Sequence, residues 1–320
     1  MRILITGGAG FIGSNFARRV LDGTLEGVSK VRVLDKLTYA GNLENFTQQQ
    51  LTDIDFHQGD INDRDIVNKC LDGIDAVVNF AAESHVDRSI GNSSEFLATN
   101  SLGALVLLEE ALKRDIPNFV QVSTDEVYGS ISEGSWNESQ PLLPNSPYSA
   151  SKAGADLICR AFNRTHGMNV KITRCSNNYG YYQYPEKLIP LLITNIITGK
   201  RLPIYGDGLN RRDWLHVDDH CQAIYKVLMQ GQSGQIYNIG GGTELSNLEI
   251  TQVILDHFQL DETIIDFVPD RKGHDFRYSV DDSKIRNELN YSPTINFEIG
   301  LAATISWYEK NSSWWKKIKK

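Results

Sequence analysis

The alternation of short β-rich runs with helical patterns over the first 175 residues is the feature that most constrains the fold. The runs are RILIT, KVRVLD, DIDFHQGD, AVVNFAA, FVQVSTD and VKITR. Between them, FIGSNFARRVLDG and TNSLGALVLLEEALKR place apolar residues at helical spacing. Such an order predicts an α/β fold, in which helices cover both faces of a parallel sheet.

A glycine-rich turn follows the first run. GGAGFIG, Gly7 to Gly13, ends the strand RILIT and opens a helical pattern. Glycines at this point permit a tight turn and close approach to a pyrophosphate, which the N–H groups of the helix N-terminus bind. Asp35 ends the next strand, 22 positions after Gly13, and a carboxylate there suits the ribose hydroxyls of NAD and repels the 2′-phosphate of NADP. The pattern predicts a Rossmann-type doubly wound sheet that binds NAD; the alternative is a plain glycine turn beside a solvated aspartate.

The second half of the chain is punctuated by proline and glycine. YGYYQYPEKLIP, KRLPIYGDGLNRRDWL and YNIGGGTELSN lie there, with helical segments between them. Because 320 residues exceed the usual range of a single core, we expect two units. Residues 1–178 form mainly the NAD-binding domain, and residues 179–320 form mainly a smaller mixed α/β lobe that binds substrate, with some segments returning to the first domain.

Composition excludes several classes of partner. A net charge of −8 and a pI near 5.4 argue against a nucleic-acid partner. No apolar run approaches the ~20 residues that span a bilayer, so we expect a protein without a membrane partner, located in the cytoplasm. WWKKIKK could anchor to a membrane surface, but a last helix packing Trp314 and Trp315 on the body is favoured. The cysteines predict reduced thiols: Cys70, Cys159, Cys175 and Cys221.

Two further motifs carry candidate chemistry. In VSTDEVYGS, Thr124, Asp125 and Glu126 stand side by side where a strand ends. In YSASK, Tyr148 and Lys152 are four residues apart, so they share one face if this segment is a helix. A lysine ammonium beside a tyrosine favours the phenolate and lowers its pKa, which predicts a base for a sugar hydroxyl.

Together, the glycine turn, STDEVYG and YSASK resemble the extended short-chain dehydrogenase/reductase family, most of whose members act on nucleotide sugars. AAESHVDRSI, CSNNYG, PEKLIP, GDGLNRRDWLHVDDH and DRKGHD extend the resemblance over the chain. Thr-Asp-Glu before Val-Tyr-Gly is similar to the members that dehydrate a nucleotide-activated glucose. The implied partner is a nucleotide-sugar substrate, dTDP-glucose, converted to its 4-keto-6-deoxy form with tightly bound NAD.

The chemistry explains why two carboxylates are needed. A sugar C5–H becomes acidic only after C4 is oxidised, so Tyr148 would first remove the C4 hydroxyl proton while Thr124 hydrogen-bonds it. Glu126 would then act as base at C5, and a protonated Asp125 as acid on the departing C6 hydroxyl. The predicted catalytic set is Thr124, Asp125, Glu126, Tyr148 and Lys152.

The resemblance also implies two binding sets. The residues implied for the cofactor are Gly7, Gly10, Phe11, Ile12, Gly13, Asp35, Lys36, Thr38, Asp60, Ile61, Ala81, Ala82, Thr99, Tyr148, Lys152 and Asn178. The residues implied for the substrate are Ser84, His85, Thr124, Asn177, Glu186, Lys187, Leu188, Pro203, Tyr205, Arg212, Asn247, Arg271 and His274. Arginine suits the diphosphate, because its planar guanidinium makes bidentate contacts.

The pattern departs from the family at three positions. Tyr181 and Lys272 stand where proline is usual, and Phe276 also differs. Tyr181 falls close to the sugar or its covering loop, and the other two border the nucleotide segment. A UDP- or other NDP-sugar 4,6-dehydratase or a 4-epimerase therefore remains an alternative, and a non-catalytic NAD-binding scaffold is a remote one.

Two further expectations concern metal and assembly. HVDDHC offers His216, His220 and Cys221, but no second pair completes a tetrahedral set, and a helix capped by Asp218 or Asp219 explains the stretch better, so we expect no metal. By resemblance, helices near 100–114 and 148–164 pair two copies into a four-helix bundle, which predicts a homodimer.

Overall fold

A parallel sheet of seven strands forms the centre of the protein in a computed structural model that describes residues 1–319. Its strand order is β3-β2-β1-β4-β5-β6-β10. All six strand pairings in it are parallel. Its strands are β1 (Arg2–Thr6), β2 (Lys30–Asp35), β3 (Asp55–Gln58), β4 (Ala76–Asn79), β5 (Phe119–Thr124), β6 (Val170–Cys175) and β10 (Ile236–Ile239).

The central strands are buried on both faces, as expected where helices cover both sides of a parallel sheet. Three buried polar side chains, Thr6, Asn79 and Gln121, are paired across neighbouring strands. The Thr6 hydroxyl donates to the side-chain oxygen of Asn79 over 2.5 Å, and the side-chain amide of Asn79 donates to the side-chain oxygen of Gln121 over 2.7 Å. These bonds fix the register of three adjacent strands, since a buried polar group without a partner costs free energy.

Thirteen α-helices lie within residues 1–319, and a π-helical segment, Leu97–Leu102, leads into one of them. One face of the main sheet packs on the first and ninth helices, and the opposite face on the third, sixth and seventh. The helices are α1 (Phe11–Leu21), α2 (Gln48–Asp53), α3 (Arg64–Cys70), α4 (Val86–Gly91), α5 (Ser93–Phe96), α6 (Gly103–Lys113), α7 (Pro147–His166), α8 (Leu188–Ile197), α9 (Val217–Gln230), α10 (Asn247–Phe258), α11 (Ser283–Leu289), α12 (Phe297–Lys310) and α13 (Ser312–Ile318).

Local signals explain the limits of α7, the helix of the YSASK motif. Ser146 and Ser149 form a capping box, and Pro147 occupies the first turn, where its missing N–H is not needed. The helix ends at Gly167, whose φ of +68° is the left-handed conformation that glycine favours.

The smaller lobe is built on two short sheets. β7 (Asn177–Tyr179), β9 (Arg211–His216) and β11 (Glu244–Ser246) form one sheet, and β8 (Leu202–Tyr205) pairs with β12 (Ile265–Val268) in the other. α8, α10, α12 and α13 pack with them around a separate apolar cluster. Trp314 and Trp315 are buried in that cluster, as favoured from the sequence.

The α/β class and the doubly wound sheet are confirmed. One helix start was predicted wrongly: α9 begins after His216, whose ring accepts from the Asp218 N–H, so neither aspartate is the cap. The four cysteines are free and buried. Within the described residues, no helix is both long and apolar enough to cross a membrane.

Candidate active site

The glycine turn is packed too closely for a side chain at Gly7 or Gly13. A Cβ on Gly7, whose φ is +66°, would lie 2.6 Å from the Ala81 backbone nitrogen, and one on Gly13 would lie 2.4 Å from the Gly7 carbonyl oxygen. Gly10 caps α1 without a side-chain bond. The first N–H groups of that helix are therefore free of a capping side chain and can bind an anion such as a pyrophosphate.

Asp35 is held beside this turn by the backbone. Its carboxylate accepts from the Ala9 N–H over 2.9 Å and from the Leu37 N–H over 2.8 Å. Burial raises the pKa of Asp35, while the two N–H bonds oppose that shift. Since each carboxylate oxygen has a second lone pair, Asp35 can still accept from ribose hydroxyls. The turn and this acid together fit a dinucleotide.

A cavity of about 310 Å³ opens at the carboxyl ends of the main-sheet strands. Every residue predicted for the cofactor lines it, from Gly7 to Asn178. Crevices at the carboxyl ends of parallel strands are where ligands bind in open α/β sheets.

A second cavity, of about 260 Å³, adjoins the first. Every residue predicted for the substrate lines it except Thr124, which lines the first cavity. Both cavities share Ser84, Glu126, Asn177, Glu186 and Lys187. The two predicted ligands would therefore meet at Glu126.

The catalytic candidates lie where β5 gives way to a short 3₁₀ turn, Asp125–Tyr128. The Thr124 hydroxyl accepts from the Glu126 N–H over 3.3 Å and donates to Asp125 over 3.2 Å. In α7, Lys152 donates its ammonium to the Val122 carbonyl over 2.7 Å. All five catalytic candidates line the first cavity.

Both carboxyls favour their protonated forms more than free side chains do. Burial and the nearby Glu126 charge raise the pKa of Asp125 well above its usual range, and its Oδ2 is buried without a hydrogen-bond partner. Burial also raises the pKa of Glu126, but the cations of Arg212, Lys187 and Arg271 oppose the shift. A neutral Asp125 can donate a proton, and a Glu126 facing three cations is the better base.

The pKa of Tyr148 departs from the sequence expectation. Burial and the charge of Glu126 raise it well above its ordinary value, although a bond with Thr124 opposes the shift. Burial also lowers the pKa of Lys152, whose ammonium bonds a backbone carbonyl instead of the phenol. The expected lowering of the tyrosine pKa is therefore wrong, because burial of the phenol and the charge of Glu126 outweigh the opposing hydrogen bond with Thr124.

The cations of the second cavity are already engaged by protein oxygens. Lys187 donates to the Ser84 carbonyl over 2.7 Å, and Arg212 donates to the Asp275 carbonyl over 2.9 Å. Arg271 forms a bidentate pair with Asp87, with distances of 2.5 and 3.0 Å. His85 lines this cavity with its Nδ1 unpaired, and burial lowers its pKa to about 4.

Sequence reasoning missed several residues at the site. Asp87 follows His85 by two positions, and that proximity was the only signal for it. His220, in α9, forms a hydrogen bond of 2.9 Å with the side-chain oxygen of Asn178. No local sequence pattern indicates this contact. Trp314 and Ile318 of the last helix line the cofactor cavity. In residues 1–319, no group of three or more His, Cys, Asp or Glu side chains could hold a metal ion.

The three residues that depart from the family pattern, Tyr181, Lys272 and Phe276, do not line either cavity. Tyr181 bonds Asp218 and packs beside His216, whereas its neighbours Tyr182 to Tyr184 line the cofactor cavity. Lys272 and Phe276 are exposed, although Arg271 and His274 beside them line the substrate cavity. The Tyr181 ring points toward α9, whereas the neighbouring residues of its own segment face the cofactor cavity.

Comparison with known proteins agrees with this geometry. The family model described as GDP-mannose 4,6 dehydratase matches residues 4–304. A dTDP-glucose 4,6-dehydratase of Streptomyces niveus is 55% identical, over 100% of this chain and 96% of the relative. A crystal structure of the dTDP-glucose 4,6-dehydratase DesIV from Streptomyces venezuelae, with NAD bound, superposes with a TM-score of 0.98 at 54% identity and full coverage of both chains.

More distant structures share the fold. A UDP-glucose 4-epimerase of Thermotoga maritima superposes with a TM-score of 0.90, but at 27% identity, over 98% of this chain and 100% of that one. Full-length identity is thus about twice as high with dehydratases as with this epimerase. The chain therefore belongs to the family described as GDP-mannose 4,6 dehydratase, and within that family its similarity is to the dTDP-glucose 4,6-dehydratases.

Proposed function

We propose that the protein dehydrates dTDP-glucose to dTDP-4-keto-6-deoxyglucose. The observation that carries the proposal is the Thr124-Asp125-Glu126 turn at the junction of the two cavities. Burial raises the pKa of both acids, but at Glu126 three cations oppose the shift. An elimination across C5 and C6 needs one base and one acid on neighbouring atoms, and this turn supplies both.

NAD is the cofactor of this reaction. The side-chain-free turn at Gly7 and Gly13, the uncapped start of α1 and the carboxylate of Asp35 fit its pyrophosphate and ribose. Bound NAD would accept a hydride from C4 and return it to C6, so that the cofactor is unchanged overall. The relatives solved with NAD support this assignment.

Tyr148 and Thr124 serve the first step. Tyr148 takes the C4 hydroxyl proton, and Thr124 hydrogen-bonds the same oxygen as its charge develops. Lys152, one helical turn from Tyr148, carries the positive charge that favours the phenolate. Because the buried phenol resists ionisation in the protein alone, the positive nicotinamide ring and Lys152 together would have to offset that burial.

Glu126 and Asp125 serve the elimination. Glu126 removes the C5 proton, which the C4 ketone has acidified, and returns a proton exchanged with solvent to C5 when the hydride adds at C6. Asp125, kept neutral by burial, gives its proton to the departing C6 hydroxyl, which leaves as water. The unpaired, buried Oδ2 of Asp125 leaves one polar atom of this acid for the substrate.

The second cavity would hold the nucleotide diphosphate. Arg212, Arg271, Lys187 and His274 supply its cationic and polar wall, and Asn177, Glu186, Tyr205 and Asn247 complete the contacts to sugar and nucleotide. Arg212 and Arg271 come from different segments of the smaller lobe. Each guanidinium can make bidentate hydrogen bonds to phosphate, so the two together would bind the diphosphate.

The proposal is tested by incubating the purified protein with dTDP-glucose in deuterated water. We expect a product lighter than the substrate by one water, with one deuterium at C5. Glu126→Gln should abolish C5–H exchange and leave the fold intact. Parallel reactions with UDP- and GDP-glucose are the control for the base. Preferred turnover of either would contradict the dTDP assignment, and a product epimerised at C4 without loss of water would contradict the reaction type.

A homodimer is proposed on the grounds of exposed apolar side chains. Leu97 and Leu102 of the π-helical segment are 52% and 50% exposed, and Leu157 of α7 is 54% exposed. Apolar residues on adjoining helices favour a buried interface. Sedimentation at micromolar concentration should give twice the chain mass of 35.9 kDa, and a monomer would contradict the assignment.

Two further proposals concern the domain division and the cellular location. We propose an NAD-binding unit of mainly residues 1–178 and a substrate lobe of mainly residues 179–320, with some segments such as β10 returning to the first unit. A cytoplasmic location suits four free, buried thiols.

A further inference from the structure

We propose that Trp314, in the last helix, is a positioning residue for the cofactor turn, and that through it α13 controls how long NAD stays bound. The inference rests on the proposed function, because it takes NAD as the cofactor. Trp314 lies 304 positions after Gly10 along the chain.

A chain of three buried hydrogen bonds joins Trp314 to the ribose-binding acid. The Trp314 indole N–H donates to the Asn45 side-chain oxygen over 3.0 Å, and the Asn45 amide donates to the Ala9 carbonyl over 2.9 Å. The Ala9 N–H in turn donates to Asp35 over 2.9 Å. Asn45 and Ala9 are 2% and 0% exposed, so water does not compete for these bonds.

The indole N–H sets the orientation of the Asn45 amide. With its oxygen engaged by Trp314, that side chain presents its NH₂ group to the glycine turn. Without the indole N–H, the amide could rotate by half a turn, which would place its oxygen against the Ala9 carbonyl. The Asn42 N–H also donates to that carbonyl, over 3.0 Å, so the turn would be loosened and not released.

The same helix forms part of the cavity wall. Trp314 and Ile318 line the cofactor cavity, and the Tyr184 hydroxyl donates to the Ile318 carbonyl over 2.9 Å. The Tyr182 ring meets the Trp314 ring edge-on, with the centroids 5.4 Å apart. α13 therefore covers one side of a cavity whose floor is built by the first domain.

Retention of the cofactor has a chemical purpose in this reaction. The hydride taken from C4 must be returned to C6 of the same sugar, so reduced cofactor that leaves between the two steps strands an oxidised intermediate. A cover that slows cofactor release thus protects each turnover. This purpose distinguishes the protein from dehydrogenases that exchange cofactor once per cycle.

The experiment compares Trp314→Phe with Trp315→Phe in the NAD-loaded protein. Trp315 is a matched control: it is 1% exposed and its indole N–H donates to the Tyr308 carbonyl over 2.8 Å, but it does not line the cavity. Each change removes one buried N–H hydrogen bond and keeps an aromatic ring. We measure the dissociation rate of bound NAD by exchange against excess labelled NAD, and reduced cofactor released during turnover by filtration.

Trp314→Phe should raise the NAD dissociation rate about 5- to 10-fold, as the loss of one buried hydrogen bond predicts, while Trp315→Phe stays within about twofold of the unmodified protein. Trp314→Phe should also release reduced cofactor during turnover. Equal dissociation rates in the two variants would overturn the role of Trp314. Unmodified protein that binds no NAD would instead overturn the proposed function.

Asn45→Asp keeps the inference testable if Trp314→Phe does not fold. It retains the oxygen that accepts from Trp314 and replaces the amide donor to Ala9 by a carboxylate oxygen. We expect a similar rise in the NAD dissociation rate; where Trp314→Phe also folds, the two fold-changes should not multiply in the double variant. Multiplying effects, or an unchanged rate in Asn45→Asp, would show that the bond chain does not position the turn.

Discussion

Replacing Asp125 by asparagine should stabilise the folded protein while it removes catalysis. Asp125 is 2% exposed, and burial together with Glu126 raises its pKa well above the usual range. In the unfolded chain the same carboxyl ionises at its ordinary pKa. Between these two pKa values the folded state binds one proton more than the unfolded state, so folding stability falls as pH rises through that window.

The size of the effect follows from this linkage. Each pH unit above the ordinary carboxyl pKa of about 3.9 costs about 1.4 kcal/mol of folding stability, up to the pKa of the folded protein. Asparagine has no proton to lose, so its advantage over aspartate should be absent at about pH 4. Between pH 5 and pH 7 it should grow by as much as about 3 kcal/mol.

The difference in the free energy of unfolding between Asp125→Asn and the unmodified protein is measured by equilibrium urea unfolding of both NAD-saturated proteins at several pH values. Glu133→Gln, which removes an exposed carboxylate, is the control and should follow the unmodified protein throughout. Turnover of Asp125→Asn should fall about 10²- to 10⁴-fold, the usual contribution of a general acid. A gap that is constant or reversed with pH would mean that Asp125 is ionised in the folded protein, and its role as the acid would be refuted.

Two substitutions and one titration test other parts of the structure. Gly7→Ala would place a Cβ 2.6 Å from the Ala81 nitrogen at a φ of +66°, so it should abolish NAD retention after gel filtration; retained NAD would contradict the close packing of the turn. Asp156→Asn leaves the Arg174 guanidinium, 2.8 Å away and 3% exposed, without its buried partner, and should lower the free energy of unfolding by about 3–5 kcal/mol; an unchanged urea midpoint would argue against that pairing. The His85 ring should stay neutral down to about pH 5, because burial lowers its pKa to about 4; an NMR titration with a midpoint above 6 would contradict this.

The parts of the fold that could be predicted are those with local signals. The turn Gly7 to Gly13, the acid Asp35 and the Thr124-Asp125-Glu126 turn are each encoded within a few residues. Because parallel strands present their carboxyl ends at one edge, these separate motifs meet there and line one cavity.

What could not be predicted depends on tertiary burial and on partners distant in sequence. The pKa of Tyr148 is raised, not lowered as expected, because the phenol is buried. The spacing of two residues along a helix carries no information about their desolvation. The pair of Asp87 and Arg271 joins residues 184 positions apart. Trp314 was expected to pack on the body, but nothing in WWKKIKK indicated that it would meet the cofactor cavity.

The position of β10 in the main sheet has a consequence for synthesis on the ribosome. This strand pairs with β6, with Ile236 beside Ile172, although about 60 residues, among them β7, α8, β8, β9 and α9, separate the two strands along the chain. At translation rates of about 5–20 residues per second, the outer edge of β6 would wait on the order of 3–12 s for its partner. An unpaired edge of this kind is a template for aggregation. The nascent chain therefore completes its sheet only after β7, α8, β8 and β9 of the smaller lobe have emerged, which ties the folding of the two units together.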